Sequence, residues 1–248
     1  KATRIHLLTK DFNLPQSNAQ TWLMLEVYDY AAEPINFEEL RGAFLLGAVD
    51  LSATTDLTSA KALIMLPVSN KKIFLSHYRI PESKLQNSPD KEAGAEYDQW
   101  AKDGLLTIDE GNEVNISGVA DWYAELFRTF ELKPYKIGYD ERFAKAFVDR
   151  CEEYGFDTVR LGQGFALSNA MKLTEADLRS QIINYNQNPI DKWCLSNCCC
   201  KGNDYGEIQP VKIPGEKEKR IDGALTFIMA EEMYRRYKDE YIKIVKGE

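Results

Sequence analysis

The distribution of apolar positions predicts a sheet in the first half of the chain. Residues 44–51 form a nearly continuous apolar run, which is typical of a buried strand, and shorter runs follow at residues 62–66 and 73–78. The links between these runs are short, and parallel strands need longer connections, so we expect an antiparallel meander. Asp50 would lie at the carboxyl end of its first strand.

The second half of the chain predicts a strand that leads into a helix. The strand covers residues 135–139, Asp140 lies at its carboxyl end, and a helix is predicted over residues 141–154. The predicted apolar face of this helix consists of Phe143, Ala146, Phe147 and Cys151. A strand followed by a helix is the unit from which parallel sheets are built, so the pattern favours an α/β fold.

The rest of the pattern supplies further helices, short extended segments and a loop. Helices are predicted over residues 91–103, 115–130, 169–184 and 221–245. A shorter helix begins at Asn188-Pro189, where asparagine suits the cap and proline the first helical position. Extended segments are predicted over residues 105–108, 158–161 and 195–201, and a polar loop over residues 202–218. Residues 1–46 are expected to be a helical lead-in to a main domain formed by residues 47–248.

Composition narrows the class of protein. With 248 residues, 44% of them apolar, the chain can bury a core, and no run approaches the roughly 20 apolar residues that cross a bilayer. We therefore expect a soluble protein without a membrane partner.

Four of the five cysteines lie within residues 194–200, which fits neither a disulfide framework nor a common zinc motif and favours a reducing cytoplasm. The net charge of −8 argues mildly against a nucleic-acid partner, although divalent cations can supply positive charge locally.

Three aspartates from distant segments form the candidate site. Asp50 and Asp140 end predicted strands, and Asp222 lies in the first turn of the last predicted helix. Ligands of open α/β sheets gather at such strand ends, and three carboxylates brought together there would repel one another without a cation. Oxygen ligands of this kind select Mg²⁺ or Mn²⁺, and two such ions about 3.5–4 Å apart can hydrolyse a phosphodiester. Taken singly, each aspartate is more simply explained as a turn or cap residue.

Two further features each allow two interpretations. Asp56 is either a fourth metal ligand or a residue that stabilises the turn after the first strand, and the turn is favoured. Lys217, Lys219 and Arg220, with Lys212 upstream, are candidate contacts to DNA phosphates. Acidic neighbours dilute this basic run, so a solvated loop explains it about equally well.

A set of longer motifs occurs in a fixed order along the chain. The set comprises GAVDLSATTDLT at residues 47–58, YDQWAKDGLL at residues 97–106 with Gly111-Asn112, Gly138-Tyr139-Asp140, Asn188-Pro189 with Trp193 and Ser196-Asn197, and Lys219-Arg220-Ile221-Asp222-Gly223. In this combination the chain resembles the nuclease half of the large terminase subunit of tailed bacteriophages, over nearly its whole length. The combination is far more specific than any one short motif.

The resemblance implies a ribonuclease H-like α/β fold with a mixed central sheet flanked by helices. It also implies a two-metal site on Asp50, Asp140 and Asp222 that cuts concatemeric double-stranded viral DNA in the host cell cytoplasm. The partners implied are the terminase ATPase domain, the small terminase subunit and the portal. Residues 1–46 would be the remnant that joins motor to nuclease. No Gly-x-x-x-x-Gly-Lys-[Ser/Thr] loop occurs in the chain, so ATP hydrolysis is not expected of it.

The chain departs from the family pattern at one position, and the sequence also allows two other functions. Members of the family often carry a histidine just before the Asn-Pro pair, whereas this chain has Tyr185-Asn186-Gln187 there. One rival is a ribonuclease H-like junction resolvase or transposase core. The other is a non-catalytic module that docks on the portal or motor, which the acidic net charge would suit.

Overall fold

A mixed central sheet organises the computed structural model, which describes residues 19–54, 56–66, 69–85 and 89–247. Ten strands lie within these residues: β1 (Ala19–Thr21), β2 (Phe44–Asp50), β3 (Thr58–Leu66), β4 (Lys71–Pro81), β5 (Thr107–Asp109), β6 (Lys133–Tyr139), β7 (Thr158–Arg160), β8 (Ile183–Asn184), β9 (Cys198–Gly202) and β10 (Ile208–Lys212). The central sheet has the order β5-β4-β3-β2-β6-β7, and β8 pairs with β4.

The directions of the strands agree with the sequence pattern. Strands β2, β3 and β4 pair antiparallel, as the predicted meander requires, although β3 and β4 are longer than expected. Strand β6 runs parallel to β2, with Val49 opposite Tyr139, and β7 runs parallel to β6. The predicted α/β architecture with a mixed sheet is therefore confirmed.

Helices cover both faces of this sheet. The described ranges contain nine α-helices: α1 (Leu25–Tyr28), α2 (Phe37–Leu40), α3 (Pro89–Glu92), α4 (Tyr97–Lys102), α5 (Ser117–Phe130), α6 (Lys145–Tyr154), α7 (Ser168–Arg179), α8 (Pro189–Asn197) and α9 (Asp222–Lys246). None of these helices is long and apolar enough to cross a membrane.

The core consists of two layers separated by the sheet. Alternate residues of a strand point to opposite faces, so Leu46 and Ala48 of β2 join one apolar cluster while Leu45 and Val49 join the other. The first cluster contains the buried face of α9, and the second contains apolar residues of α5 and α6. Because β2 is covered on both sides, its sequence is a continuous apolar run rather than an alternating one.

A smaller antiparallel sheet lies beside the central one. It has the order β1-β9-β10, and Lys212 at the end of β10 lies opposite Cys198 of β9. Residues 202–218 were expected to form a loop, and this prediction is wrong for β10, because backbone pairing with β9 converts part of the segment into a hairpin.

Three further sequence predictions are corrected. Between residues 19 and 46 the chain forms β1, α1 and α2 rather than a continuous helical lead-in, and residues 1–18 lie outside the described residues. The helix predicted over residues 91–103 is interrupted at Gly94, whose φ of 94° ends α3. The helix predicted to reach residue 184 ends at Arg179, because Ile183 is buried and pairs with Lys72 of β4.

Candidate metal centre

The parallel pairing of β2 and β6 brings Asp50 and Asp140 to one edge of the sheet. Val49 and Tyr139 are the last registered pair of these strands, and the two aspartates are the residues that follow them. Asp222 is the first residue of α9, which crosses the same sheet. All three aspartates line one cavity of about 360 Å³, so the structure brings together the three residues selected from sequence.

Contacts around the start of α9 fix the position of Asp222. The hydroxyl of Thr226 lies 2.7 Å from that of Ser59 on β3, and Asn197 Nδ2 donates to the carbonyl of Arg220 over 3.2 Å. Gly223 packs so closely that a Cβ atom there would lie 3.0 Å from Cys194 Sγ. The helix start is therefore held by both the central sheet and α8.

Burial and neighbouring negative charges raise the pKa values of two of these aspartates. Burial raises the pKa of Asp50 well above its ordinary value, and the negative charges of Asp222 and Asp140 raise it further. Burial also raises the pKa of Asp222 to about 7, with a further contribution from Asp56. Both effects disfavour ionised carboxylates, and a bound cation would reverse them.

One oxygen of the site has no hydrogen-bond partner. Asp222 is only 6% exposed, and its Oδ2 atom is buried without a partner among the residues that the structure describes. A buried acceptor without a donor is costly unless a ligand completes its shell. The residue types and this orphaned oxygen fit a hard divalent cation. Within the described ranges, however, no three acidic, histidine or cysteine side chains are already gathered closely enough to hold a metal ion. The aspartates share a cavity without forming a preassembled coordination cage.

Asp56 also lines the cavity, but its carboxylate is bound by two positively charged side chains. Lys212 Nζ donates to Asp56 Oδ1 over 2.7 Å, and the guanidinium of Arg220 donates to the same oxygen. Burial alone would raise the pKa of Asp56, but hydrogen bonds and positive charge from Lys212 and Arg220 outweigh burial and lower it. Its backbone amide donates to Ser52 Oγ over 2.9 Å, which closes the turn after β2.

The three predicted DNA contacts lie in different environments. Lys217 is exposed, and Lys219 is partly buried and forms an ion pair with Glu216. Arg220 is 5% exposed, and besides contacting Asp56 it donates twice to Asp90, over 2.7 Å and 3.0 Å. The guanidinium of Arg220 is thus used within the protein, whereas the two lysines lie nearer to solvent.

Other residues at the cavity were missed by sequence reasoning. Arg142, Phe143 and Gln163 line it, and so does Lys212, which sequence grouped only with the candidate DNA contacts. Arg142 and Phe143 lie two and three residues after Asp140, so their nearness to a strand end was a signal that could have been used. Lys212 reaches the cavity only through the β9–β10 hairpin, which local pattern did not predict.

Phe143 corrects the prediction for the helix after β6. Helix α6 begins at Lys145 rather than at residue 141, and although Phe147 and Cys151 are buried as predicted, Phe143 is 55% exposed. Its φ of 59° lies in the left-handed region, which costs a residue with a side chain about 1–2 kcal/mol. Ala144 N–H donates to the carbonyl of Glu141 over 3.4 Å and closes this turn. The turn directs the aromatic ring to the cavity instead of the core.

Together these features define a class of protein. A mixed sheet with acidic residues after two neighbouring parallel strands, and a third carboxylate at a helix start, matches the ribonuclease H-like α/β fold that the sequence resemblance implies. The chain belongs to the family of the terminase large subunit, endonuclease domain, whose model it matches over residues 2–238. The resemblance and the fold expected from sequence are therefore confirmed.

Three individual proteins are similar to this chain. The chain is 24% identical over 234 residues to Protein YmfN of Escherichia coli strain K12, a match that covers 90% of this chain and 50% of that protein. The large terminase of bacteriophage HK97 has the same fold, with a TM-score of 0.70 and 22% identity over 93% of this chain and 48% of that chain. The large terminase nuclease of thermophilic phage G20c is more distant, with a TM-score of 0.49 and 9% identity over 79% of this chain and 83% of that one. The chain spans about half the length of the first two relatives.

Proposed function

We propose that this chain is a metal-dependent endonuclease of a viral DNA-packaging terminase, and that it cuts concatemeric double-stranded DNA by phosphodiester hydrolysis. One observation carries the proposal: Asp50, Asp140 and Asp222, which are distant in sequence, line one cavity in a chain of the terminase endonuclease family. The cavity is open to solvent at exposed residues such as Arg142 and Gln163, so a DNA strand has access to it.

The cofactors we propose are two divalent cations, Mg²⁺ or Mn²⁺, held by the three aspartates. Bound there, they would activate water and stabilise the leaving oxygen of the phosphodiester. The orphaned Oδ2 of Asp222 and the mutual repulsion around Asp50 support this role, because each is relieved by a cation. Lys212 and Arg220 hold Asp56 at the side of the cavity, which leaves the other three carboxylates for the metal ions.

Contacts to the DNA backbone are assigned to the basic segment before α9. Lys217 and Lys219 are the proposed phosphate contacts, since their side chains reach solvent in the segment that leads into Asp222. Arg220 is proposed to be a positioning residue, because its guanidinium binds both Asp56 and Asp90. Replacing both lysines with alanine should weaken DNA binding and reduce its salt dependence by about two counterions.

Membership of the terminase family supports a proposal for the wider assembly. The proposed partners are the terminase ATPase domain, the small terminase subunit and the portal, acting in the host cell cytoplasm. ATP hydrolysis is assigned to the ATPase domain, because this chain contains no Walker A loop. Residues 1–46 would connect the two activities.

A plasmid-nicking assay tests the proposal. Supercoiled plasmid is incubated with the protein in Mg²⁺, Mn²⁺ or chelator, alongside the variants Asp50→Asn, Asp140→Asn and Asp222→Asn. Cleavage that needs a divalent ion and is lost in each variant is expected, while Asp239→Asn, at an exposed position near the other end of α9, should cut like the wild type. Full cleavage by Asp50→Asn would refute the assigned site. Absence of metal-dependent cleavage by the wild type would favour a non-catalytic docking module instead.

A further inference from the structure

The aromatic ring of Phe143 is exposed at the edge of the acidic cavity. Phe143 lines the cavity together with Asp140 and is 55% exposed. Phe127 of α5 is comparably exposed, at 46%, but it borders a different cavity, formed with Arg128 and Tyr154. Phe143 therefore combines exposure with contact to the candidate catalytic centre.

The backbone of Phe143 adopts a disfavoured conformation at this position. Its φ of 59° is disfavoured for a residue with a side chain, and strained residues of this kind concentrate at functional sites. The segment is short, because it runs only from Asp140 at the end of β6 to the start of α6 at Lys145. Helical spacing would have allowed Phe143 to be buried, because it lies four residues before Phe147, which packs in the core.

The neighbours of Phe143 match the remaining parts of a nucleotide. Arg142 lines the same cavity, is exposed, and forms no ion pair with any residue that the structure describes. Gln163, also exposed, presents an amide that can donate to and accept from a base edge. A cation for a phosphate, an aromatic face for a base and an amide for its edge lie together beside the carboxylates.

These observations point to one occupant. We infer that Phe143 stacks on a base next to the phosphate that is cut, and that the enzyme consequently prefers DNA whose bases are unpaired at that point. The inference rests on the proposed nuclease function and adds the form of substrate that its site recognises. A base inside an intact duplex stacks on its neighbours and offers no free face, so only an opened base can cover the ring.

The test compares opened with paired DNA. Two duplexes of equal length are used, one fully paired and one with three central mismatches that carry 2-aminopurine. Binding is measured in the Asp222→Asn background, in which we expect no cleavage, and cutting is measured with Mn²⁺ in the otherwise wild-type protein. The variants are Phe143→Leu, which keeps an apolar side chain without an aromatic face, Phe143→Trp, which keeps the face, and Phe127→Ala as the control for an exposed phenylalanine.

We expect the wild type to bind and cut the opened duplex roughly tenfold better than the paired one. This ratio should fall close to one in Phe143→Leu and persist in Phe143→Trp and Phe127→Ala, and the quenching of 2-aminopurine should be lost only in Phe143→Leu. An unchanged ratio in Phe143→Leu, with cutting intact, would overturn the inference and leave the nuclease function standing. Failure of the wild type to cut or bind any DNA with metal would overturn both.

Discussion

Lys212 Nζ lies 2.7 Å from Asp56 Oδ1 and so joins the end of β10 to the turn that follows Asp50. Through this contact the β9–β10 hairpin contributes a positive charge to a cavity lined by carboxylates. The ammonium lowers the pKa of Asp56, and it opposes the effect of burial on the pKa of both Asp50 and Asp222. Lys212 therefore offsets part of the repulsion that divalent cations would remove.

Lys212→Met should make the protein depend more strongly on divalent ions for stability. In chelator the variant should lose about 1 kcal/mol or less of unfolding free energy, because the pair with Asp56 is partly exposed. Mg²⁺ or Mn²⁺ should then raise its melting temperature by more than it raises that of the wild type. Calorimetry with and without metal measures this difference. Lys217→Met, at an exposed site, serves as the control, and equal metal-induced shifts in all three proteins would contradict the expectation.

Gly223→Ala should impair the centre through the position of Asp222. The new Cβ would approach Cys194 Sγ to 3.0 Å and meet the hydroxyl of Tyr78, so the start of α9 would have to move. Overpacking of this kind costs about 1–3 kcal/mol, and the displacement should reduce cleavage more than it reduces DNA binding. Chemical denaturation and nicking rates test both effects. Gly206→Ala is the control for replacing a glycine, because Gly206 has a positive φ but open space around it. Wild-type cleavage by Gly223→Ala would show that Gly223 does not position Asp222.

Asp191→Ala should be strongly destabilising, because it leaves a buried ammonium without its counter-charge. Lys61 and Asp191 are both fully buried and form an ion pair, and Lys61 Nζ also donates to Tyr78 over 2.7 Å and Ser76 over 3.0 Å. Loss of one partner of such a pair costs about 3–5 kcal/mol. Unfolding in urea measures the loss. Adding Lys61→Met should recover much of it, and a double variant as unstable as Asp191→Ala would argue against an electrostatic cause.

Glu231→Gln should flatten the pH dependence of stability. Burial raises the pKa of Glu231 to about 7, although Lys72 Nζ, 2.6 Å away, opposes the shift. Because the folded-state pKa is raised, the stabilising contribution is fully present below the ordinary value of 4.5 and is lost as the pH rises through about 7. The loss amounts to at most roughly 3 kcal/mol between these limits. Denaturation in chelator from pH 4.5 to 8 should therefore show a steeper decline for the wild type than for Glu231→Gln. Parallel curves would contradict the assignment, and the variant retains Asp177 as a partner for Lys72.

The antiparallel meander, the strand that leads into a helix and the three candidate aspartates were accessible from sequence, because each depends on local pattern. The apolar run of β2 and the β6–α6 succession favoured an α/β fold, the sequence resemblance implied its mixed sheet, and strand ends selected Asp50 and Asp140. The Lys219-to-Gly223 motif and the start of the last helix selected Asp222. That these residues hold metal ions stays a prediction, as do the boundary at residue 46 and the DNA contacts of Lys217 and Lys219.

Tertiary structure alone decided which residues surround those aspartates. Periodicity assigned Phe143 to a helix interior, but α6 begins two residues later and a left-handed turn exposes the ring at the cavity. Lys212 was expected in a loop, and pairing of β10 with β9 brings it to Asp56 instead. Arg220, a candidate DNA contact, is buried between Asp56 and Asp90. Apolar periodicity reports which face of a segment is buried, whereas contacts between groups far apart in the chain depend on how separate elements pack, which no local pattern contains.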